Sequence, residues 1–322
     1  MYALRNTHYI RKYFAGNDLA PPRMRQVYSD EVASRTEMHL VREGGGITVM
    51  LSPRALHGVQ RSYKHIPPAY IHWFAQSDAQ VKRITCDLTD GESPGLSRFT
   101  YSTCFKGKVL LPDQHFFRSK GYAGARRIAA DAPDWEARDE GLFWRGQTTG
   151  VGLFSVDPDD LAKPWVLQRL RTALVARDLP DSDVRFVEGS CTLHPQLLDA
   201  AGLLGERREL ALWAGDKYAL DVDGFTNAWC NLFERLLLGC CVLKVDSQYG
   251  FRQWYYDRLV PFETHVPIRA DLSDFAEKLD WVRSHPMEAR RIAKQGQALA
   301  LSLTFESETK FAAQQIEAHW ED

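Results

Sequence analysis

The chain has 322 residues, with 40 basic and 42 acidic side chains, a net charge of -2, 44% hydrophobic residues and 25% charged residues. That length exceeds one ordinary hydrophobic core and predicts two domains, and the balance is that of a globular protein, which excludes disorder for most of the chain. No run of Lys and Arg is long enough to track a phosphate backbone, so neither nucleic-acid binding nor membrane binding by charge alone is supported.

Residues 1–16 carry Arg5, Arg11 and Lys12 and no long apolar stretch, unlike a secretory signal. The apolar run 236–243 is interrupted by Gly239 and is too short to span a bilayer. A cytoplasmic protein is expected. In the first half, Gly44, Gly45 and Gly46 mark a turn before a strand at 47–51. Pro67 and Pro68 precede a helical stretch at 70–75, and strands are predicted at 81–87, 96–101 and 108–111. The polar segment 131–140, with Pro133, predicts a boundary that separates domains at 1–138 and 139–304.

The second half alternates apolar runs of strand length with amphipathic segments of helix length. Strands are predicted at 141–145, 184–187, 217–222, 240–245 and 265–268. Helices are predicted at 165–176, 228–238, 251–259, 272–283 and 288–303. The alternation predicts a parallel sheet covered on both faces. A last helix at 306–321, within 305–322, is expected to cross back onto the first domain. The six cysteines form no C-x-x-C pair and are read as buried, reduced thiols.

Four segments can carry chemistry. In FWRGQTTG, residues 143–150, Arg145 and Gly146 end an apolar strand before Thr148 and Thr149. A loop at that end of a parallel strand faces the ligand crevice, where Arg and Thr can bind phosphate or ribose oxygens. In KYALDVDGFTNAW, residues 217–229, a strand runs into Asp223, Gly224 and Phe225, then Thr226, Asn227 and Ala228 open a helix. Thr226 or Asn227 is the expected N-cap, and open amides with the helix dipole favour an anion there. Lys217, Asp221 and Asp223 are expected around one strand end. In the segment 243–268, Lys244 lies on a buried strand, and Arg252 and Gln253 open the aromatic-rich helix.

The fourth segment, CDLTDGES at 86–93, places Asp87 and Asp90 at a strand end, where a carboxylate can take a proton from an attacking hydroxyl. Each can equally be a turn aspartate, and Asp113 has the same ambiguity. The scattered histidines include no H-E-x-x-H, so no metal site is expected. The absence of a P-loop and of G-x-G-x-x-G argues against a P-loop enzyme and a dehydrogenase.

The order FWRG..TG, KY.LDVDG, helix, VLKV, RQWYYDRL.P and VPI..DLSD resembles glycosyltransferase family ninety. That family includes protein O-glucosyltransferases, capsule xylosyltransferases and lipopolysaccharide-modifying enzymes. The resemblance covers about residues 80 to 300 and is densest from 143 to 293. It implies an α/β chain of GT-B type, with two Rossmann-like domains facing a central cleft. The N-terminal domain would be the acceptor side and the C-terminal domain would bind the nucleotide sugar.

The implied reaction is inverting transfer, without a metal ion or cofactor, of a sugar from a UDP-sugar. Glucose and xylose are the leading donors. The acceptor is a glycan hydroxyl, and for a bacterial cytoplasmic enzyme lipopolysaccharide or another lipid-linked envelope glycan, which leaves room for peripheral membrane association. Asp90 aligns with the family's general base, with Asp87 as the competitor. Arg145 and Gly146 are implied to touch the nucleotide, and residues 224–228 the diphosphate. Many members carry an arginine early in the next helix. Here that position is Leu232, with Arg235 one turn later, so the phosphate charge would fall to Arg145, Lys244 or Arg252. The alternative is a non-catalytic protein that binds nucleotide sugar or glycan.

Overall fold

The structure, a computed structural model, describes residues 2–54 and 65–320. Met1 and Glu321, which end two segments discussed above, lie outside the described residues. The chain divides into two units. Unit 1 is Met1–Tyr122 with Arg252–Tyr255 and Leu303–Asp322, and unit 2 is Ala123–Phe251 with Tyr256–Ser302. The boundary expected at 138/139 therefore falls inside unit 2. Arg138 shows why: its guanidinium donates to the carbonyls of Leu238 and Gly239, at 2.9 and 3.0 Å, both in unit 2.

Unit 1 holds α1 (Tyr2–Ala15), β1 (Met24–Tyr28), β2 (Glu37–Glu43), β3 (Gly46–Leu51), α2 (Pro67–Gln76), β4 (Arg83–Asp87), β5 (Phe99–Thr100), β6 (Val109–Leu110) and α3 (Gln114–Arg118). Its sheet runs β1-β3-β2-β4-β5-β6. β2 is antiparallel to both neighbours and the other pairs are parallel. The glycine turn is thus the tip of a β2–β3 hairpin. Sequence patterning missed α1, β1 and β2. β1 is a partly exposed edge strand, and β2 buries the polar Glu37 and His39, which hides its period. Glu37 can be buried because it accepts from the amides of Leu96 and Ser97.

The core of unit 1 is largely aromatic. Tyr70 stacks on Tyr101 at 4.0 Å, and Phe305 of the C-terminal helix Phe305–His319 packs near Trp73 and Phe117. The helix expected at 251–259 is absent. Arg252 instead exchanges backbone hydrogen bonds with Thr103, and Trp254 donates from Nε1 to Glu308 at 2.9 Å. Only a 3-10 turn at Tyr256–Arg258 remains. Aromatic side chains have modest helix propensity, and tertiary burial overrides it here.

Unit 2 contains α4 (Ala123–Ala130), β7 (Asp139–Gly146), α5 (Gln168–Arg177), β8 (Ser182–Phe186), α6 (Pro195–Ala200), α7 (Leu210–Trp213), β9 (Asp216–Asp221), α8 (Cys230–Leu237), β10 (Cys241–Val245), β11 (Val266–Ile268), α9 (Phe275–Ser284) and α10 (Pro286–Ser302). Its sheet is wholly parallel, in the order β11-β10-β9-β7-β8. Leu142, Trp144, Leu170, Leu174, Leu220 and Leu243 are among its buried core. The chain is therefore α/β, with one sheet in each unit. The cysteine reading needs correction: Cys86, Cys240 and Cys241 are buried, but Cys104 and Cys191 are exposed and Cys230 is half-buried. Among the described residues, no helix is long and apolar enough to cross a membrane.

Candidate functional site

In unit 2 the chain leaves β7 for β8 on one side, then returns to lay β9 and β10 on the other. Strand order reverses between β7 and β9. An open parallel sheet forms a ligand crevice beyond the carboxyl ends of its strands at such a point. The loops after β7 and β9 meet there. A Cβ on Gly150 would lie 3.7 Å from the Gly224 carbonyl oxygen, and one on Gly224 would lie 2.8 Å from Thr149 Oγ1. Only glycine at 224 allows that approach.

Two consecutive side chains at the start of α5 fasten these loops. The buried Arg169 donates from Nε to the Asp223 carbonyl at 2.9 Å, from Nη1 to the Gln147 carbonyl at 3.0 Å and Thr149 Oγ1 at 2.6 Å, and from Nη2 to the Val222 carbonyl at 3.2 Å. Gln168 donates from Nε2 to the carbonyls of Asp246 and Ala270, beyond β10 and β11, each at 3.0 Å. Every acceptor of Arg169 is neutral. Burial lowers its pKa to about 10, against the pull of Asp223 and Asp221. The crevice is narrow, with about 10 Å³ of free volume, and is lined by Thr149, Gly150, Arg169, Asp223, Gly224 and Thr226, among others.

The amino end of α8 opens beside it. The helix begins at Cys230, and its cap position is Trp229, not Thr226 or Asn227. Trp229 has φ 52° and ψ -119°, a conformation that costs a non-glycine residue about 1–3 kcal/mol. Asn227 stabilises the entry by accepting the Trp229 amide on Oδ1 at 2.6 Å. The Gly224 amide is taken by the Asn227 carbonyl, but the amides of Thr226, Asn227 and Ala228 meet no protein acceptor among the described residues. Thr226 Oγ1, Asn227 Nδ2 and both carboxylate oxygens of Asp223 are buried without a hydrogen-bond partner. Other buried atoms without a partner occur elsewhere, on Asp221 and Arg235 among others, but these four belong to one short turn. Burial raises the Asp223 pKa to about 6, although Lys244 and the Ser247 hydroxyl favour its charged form.

The other sequence-predicted ligands fare unevenly. Thr148 is committed to the neighbouring loop, donating to the Cys191 carbonyl and accepting from the Leu193 amide. Phe225 is exposed. Arg145 does not enter the crevice lining. It pairs with Asp183 at 2.7 Å and donates to the carbonyls of Trp144, Asp183 and Glu206. Gly146 is required by Trp144, whose ring carbon would lie 2.4 Å from an added Cβ. Lys217 sits at the opposite, amino end of β9 and pairs with Glu140 at 2.7 Å, so it does not join Asp221 and Asp223. Lys244 lies 3.6 Å from Asp221 and 4.8 Å from the centre of the Tyr256 ring. Arg252 and Gln253 belong to unit 1, where Gln253 donates to Asp113 at 2.8 Å.

The three carboxylates of unit 1 also separate. Asp113 is buried, caps α3 by accepting from the amides of His115 and Phe116, and holds Gln253. Asp87 accepts the Thr89 amide at 2.8 Å and braces the turn after β4. Burial raises its pKa, opposed mainly by its bonds to Thr89. Asp90 takes no hydrogen bond among the described residues, and burial, then the charges of Glu92 and Asp87, raise its pKa to about 6. No cluster of His, Cys, Asp and Glu suited to a metal ion occurs among the described residues.

The family model described as Glycosyl transferase family 90 matches residues 180–309, which span β9, the open turn, α8, β10 and β11. Over those residues the chain is similar to glycosyl transferase family 90. It is 34% identical over 154 residues to Protein O-glucosyltransferase 3 of Homo sapiens, covering 43% of this chain and 29% of that one. It is 40% identical over 169 residues to Protein O-glucosyltransferase 2 of Danio rerio, covering 52% and 30%. The chain thus spans under a third of the length of these curated relatives. Among solved structures, Anabaena Alr3699/HepE in complex with UDP-glucose aligns with a TM-score of 0.37 and 11% identity, covering 61% of this chain and 53% of that one.

Leu232, at the position where the resemblance placed an arginine, is fully buried. Arg235 does not replace the expected arginine: it is buried 3.9 Å from Asp221 and 5.0 Å from the Trp213 ring centre. The cation that lines the crevice is Arg169, which sequence reasoning missed. One signal was available: Gln168, Arg169 and Arg171 stand together in a helix that turns out to be buried throughout its first turn.

Proposed function

We propose that this chain is a glycosyltransferase that moves a sugar from a UDP-sugar to a hydroxyl of a glycan acceptor, with inversion and without a metal ion. Glucose and xylose are the leading donors. One observation carries the reading: a buried guanidinium with only neutral hydrogen-bond acceptors lines a switch-point crevice beside three open amides in the turn that leads into α8. The guanidinium hydrogen-bonds no carboxylate, and Asp223 and Asp221 act on it only through space, which leaves it able to take an anion as well. The helix terminus adds about 0.3–1 kcal/mol for such an anion, more where it is partly buried.

In the proposed reaction Asp90 takes the proton of the acceptor hydroxyl as its oxygen attacks the anomeric carbon. Such base catalysis supplies about 10²–10⁴-fold. The bond to the diphosphate breaks, and Arg169 with the amides of residues 226–228 stabilises the charge that develops on the departing UDP. Asp223, Gly224 and Thr149 line the same narrow crevice, whose free volume of about 10 Å³ meets only part of the donor.

Calorimetry with UDP, followed by transfer from radiolabelled UDP-glucose and UDP-xylose with and without EDTA, tests the proposal. Turnover that survives EDTA is expected, and no affinity for UDP or either UDP-sugar would overturn it. Lipopolysaccharide fragments and hydroxyl-bearing peptides as acceptors separate an envelope glycan from a protein substrate. The second reading, binding without turnover, is favoured by the commitment of Arg235 to Asp221. UDP affinity with neither transfer nor donor hydrolysis would establish it.

A further inference from the structure

The Asp223 carboxylate is a misfit in a site designed for phosphate. It lines the crevice, only 6% of the residue is exposed, and neither oxygen has a hydrogen bond of ordinary length among the described residues, although the nearby Ser247 hydroxyl favours its charged form. No ion pair holds it among the described residues: Lys244 is drawn to Asp221, and Arg169 reaches the Asp223 backbone carbonyl rather than its side chain. An ionised carboxylate is acceptor-only, with two oxygens and about four lone-pair positions. Phosphate oxygens are also acceptors and negatively charged, so this side chain repels the group that Arg169 and the open amides attract.

A ligand that satisfies both halves of the crevice must therefore carry an anion at one end and paired donors next to it. A nucleotide sugar has that order. Its vicinal hydroxyls are two donors on adjacent carbons, spaced to meet the two oxygens of one carboxylate. The nucleobase offers no such pair of hydroxyls. Thr226 Oγ1, buried, unpartnered and in the same lining, can accept or donate to either hydroxyl.

We propose that Asp223 receives both hydroxyls of a vicinal diol of the bound nucleotide sugar and so selects the orientation of the donor in the crevice. This rests on the nucleotide-sugar reading above. The diol belongs either to the ribose or to the transferred sugar, and the chemistry at Asp223 is the same.

The test is calorimetry of UDP, 2′-deoxy-UDP, 3′-deoxy-UDP and UDP-glucose with the wild-type chain and with Asp223→Asn. Hydrogen bonds to a charged group predict an effect of about tenfold to a hundredfold in Kd. If the ribose is held, the wild type binds the deoxy-nucleotides that much more weakly than UDP, and Asp223→Asn loses both UDP affinity and this discrimination. If the transferred sugar is held, Asp223→Asn weakens UDP-glucose and leaves UDP unchanged. Unchanged affinity of Asp223→Asn for UDP and UDP-glucose overturns the proposal. So does a uniform loss for every ligand with discrimination intact, which marks a structural role. A wild-type chain that binds neither UDP nor UDP-glucose refutes the parent reading instead. The deoxy-nucleotide comparison uses the unmodified chain and does not depend on how the variant folds.

Discussion

Replacing Arg169 with methionine keeps an unbranched stem and removes every donor from the loop junction. Four acceptors then lose their partner: the carbonyls of Gln147, Val222 and Asp223, and Thr149 Oγ1. Arg169 is 7% exposed, so water reaches these atoms poorly. Each orphaned buried acceptor costs about 1–3 kcal/mol. The desolvation that lowers the guanidinium pKa disappears with the charge, and the apolar stem stays buried, which offsets part of the loss. A net destabilisation of about 3–5 kcal/mol follows, or roughly 10 °C in the melting temperature of a unit this size. Melting followed by circular dichroism, with and without UDP, reads both effects. UDP affinity should fall at least about tenfold, and Arg169→Lys, which keeps the charge but not the fork, should lose less affinity. A methionine variant that melts within about 1 °C of the wild type would refute the staple argument. A lowered melting point with unchanged UDP affinity would leave the staple and remove Arg169 from the ligand site.

Asp223→Asn tests the same crevice through stability. Burial raises the Asp223 pKa from 3.8 to about 6, so the folded chain holds that proton more tightly than the unfolded one. The stability tied to this proton is fully present below the unfolded pKa and is lost as pH rises through about 6. The asparagine variant does not titrate. Its stability relative to wild type should therefore climb by about 2 kcal/mol between pH 4 and pH 7, as read by urea denaturation, and a flat difference would contradict the buried charge. Asp90→Asn should lower turnover by about 10²–10⁴-fold with little change in melting temperature, and the wild-type rate should rise with pH through about 6, as the base loses its proton. Equal transfer rates would remove Asp90 from that role. Gly146→Ala should destabilise the chain by about 1–3 kcal/mol, because the new methyl meets the Trp144 ring, and it should melt lower even without ligand.

The second half was readable because both periods are strong there. Buried parallel strands such as Cys241–Val245 are continuous apolar runs, and α8 carries a clear apolar stripe, so the β–α alternation and the loops after β7 and β9 could be placed without coordinates. The first half was less legible. β2 keeps Glu37 and His39 inside the sheet, and residues 251–259 read as a helix although Arg252 pairs with Thr103 and Trp254 packs in the core of unit 1.

The residues alone determined an α/β chain, the two loops that meet at the crevice, and the open turn around Gly224. Those properties follow from local patterns: hydrophobic period, glycine placement and strand-to-helix punctuation. Tertiary structure alone decided which charges serve the site. It turned Arg145 toward Asp183, put Lys217 at the far end of its strand and brought Arg169 from an ordinary-looking helix into the junction. The physical reason is that a long charged side chain takes its partner from across the fold. Its direction is set by which end of a strand it occupies and which face of a helix is buried, and neither is written in its nearest neighbours.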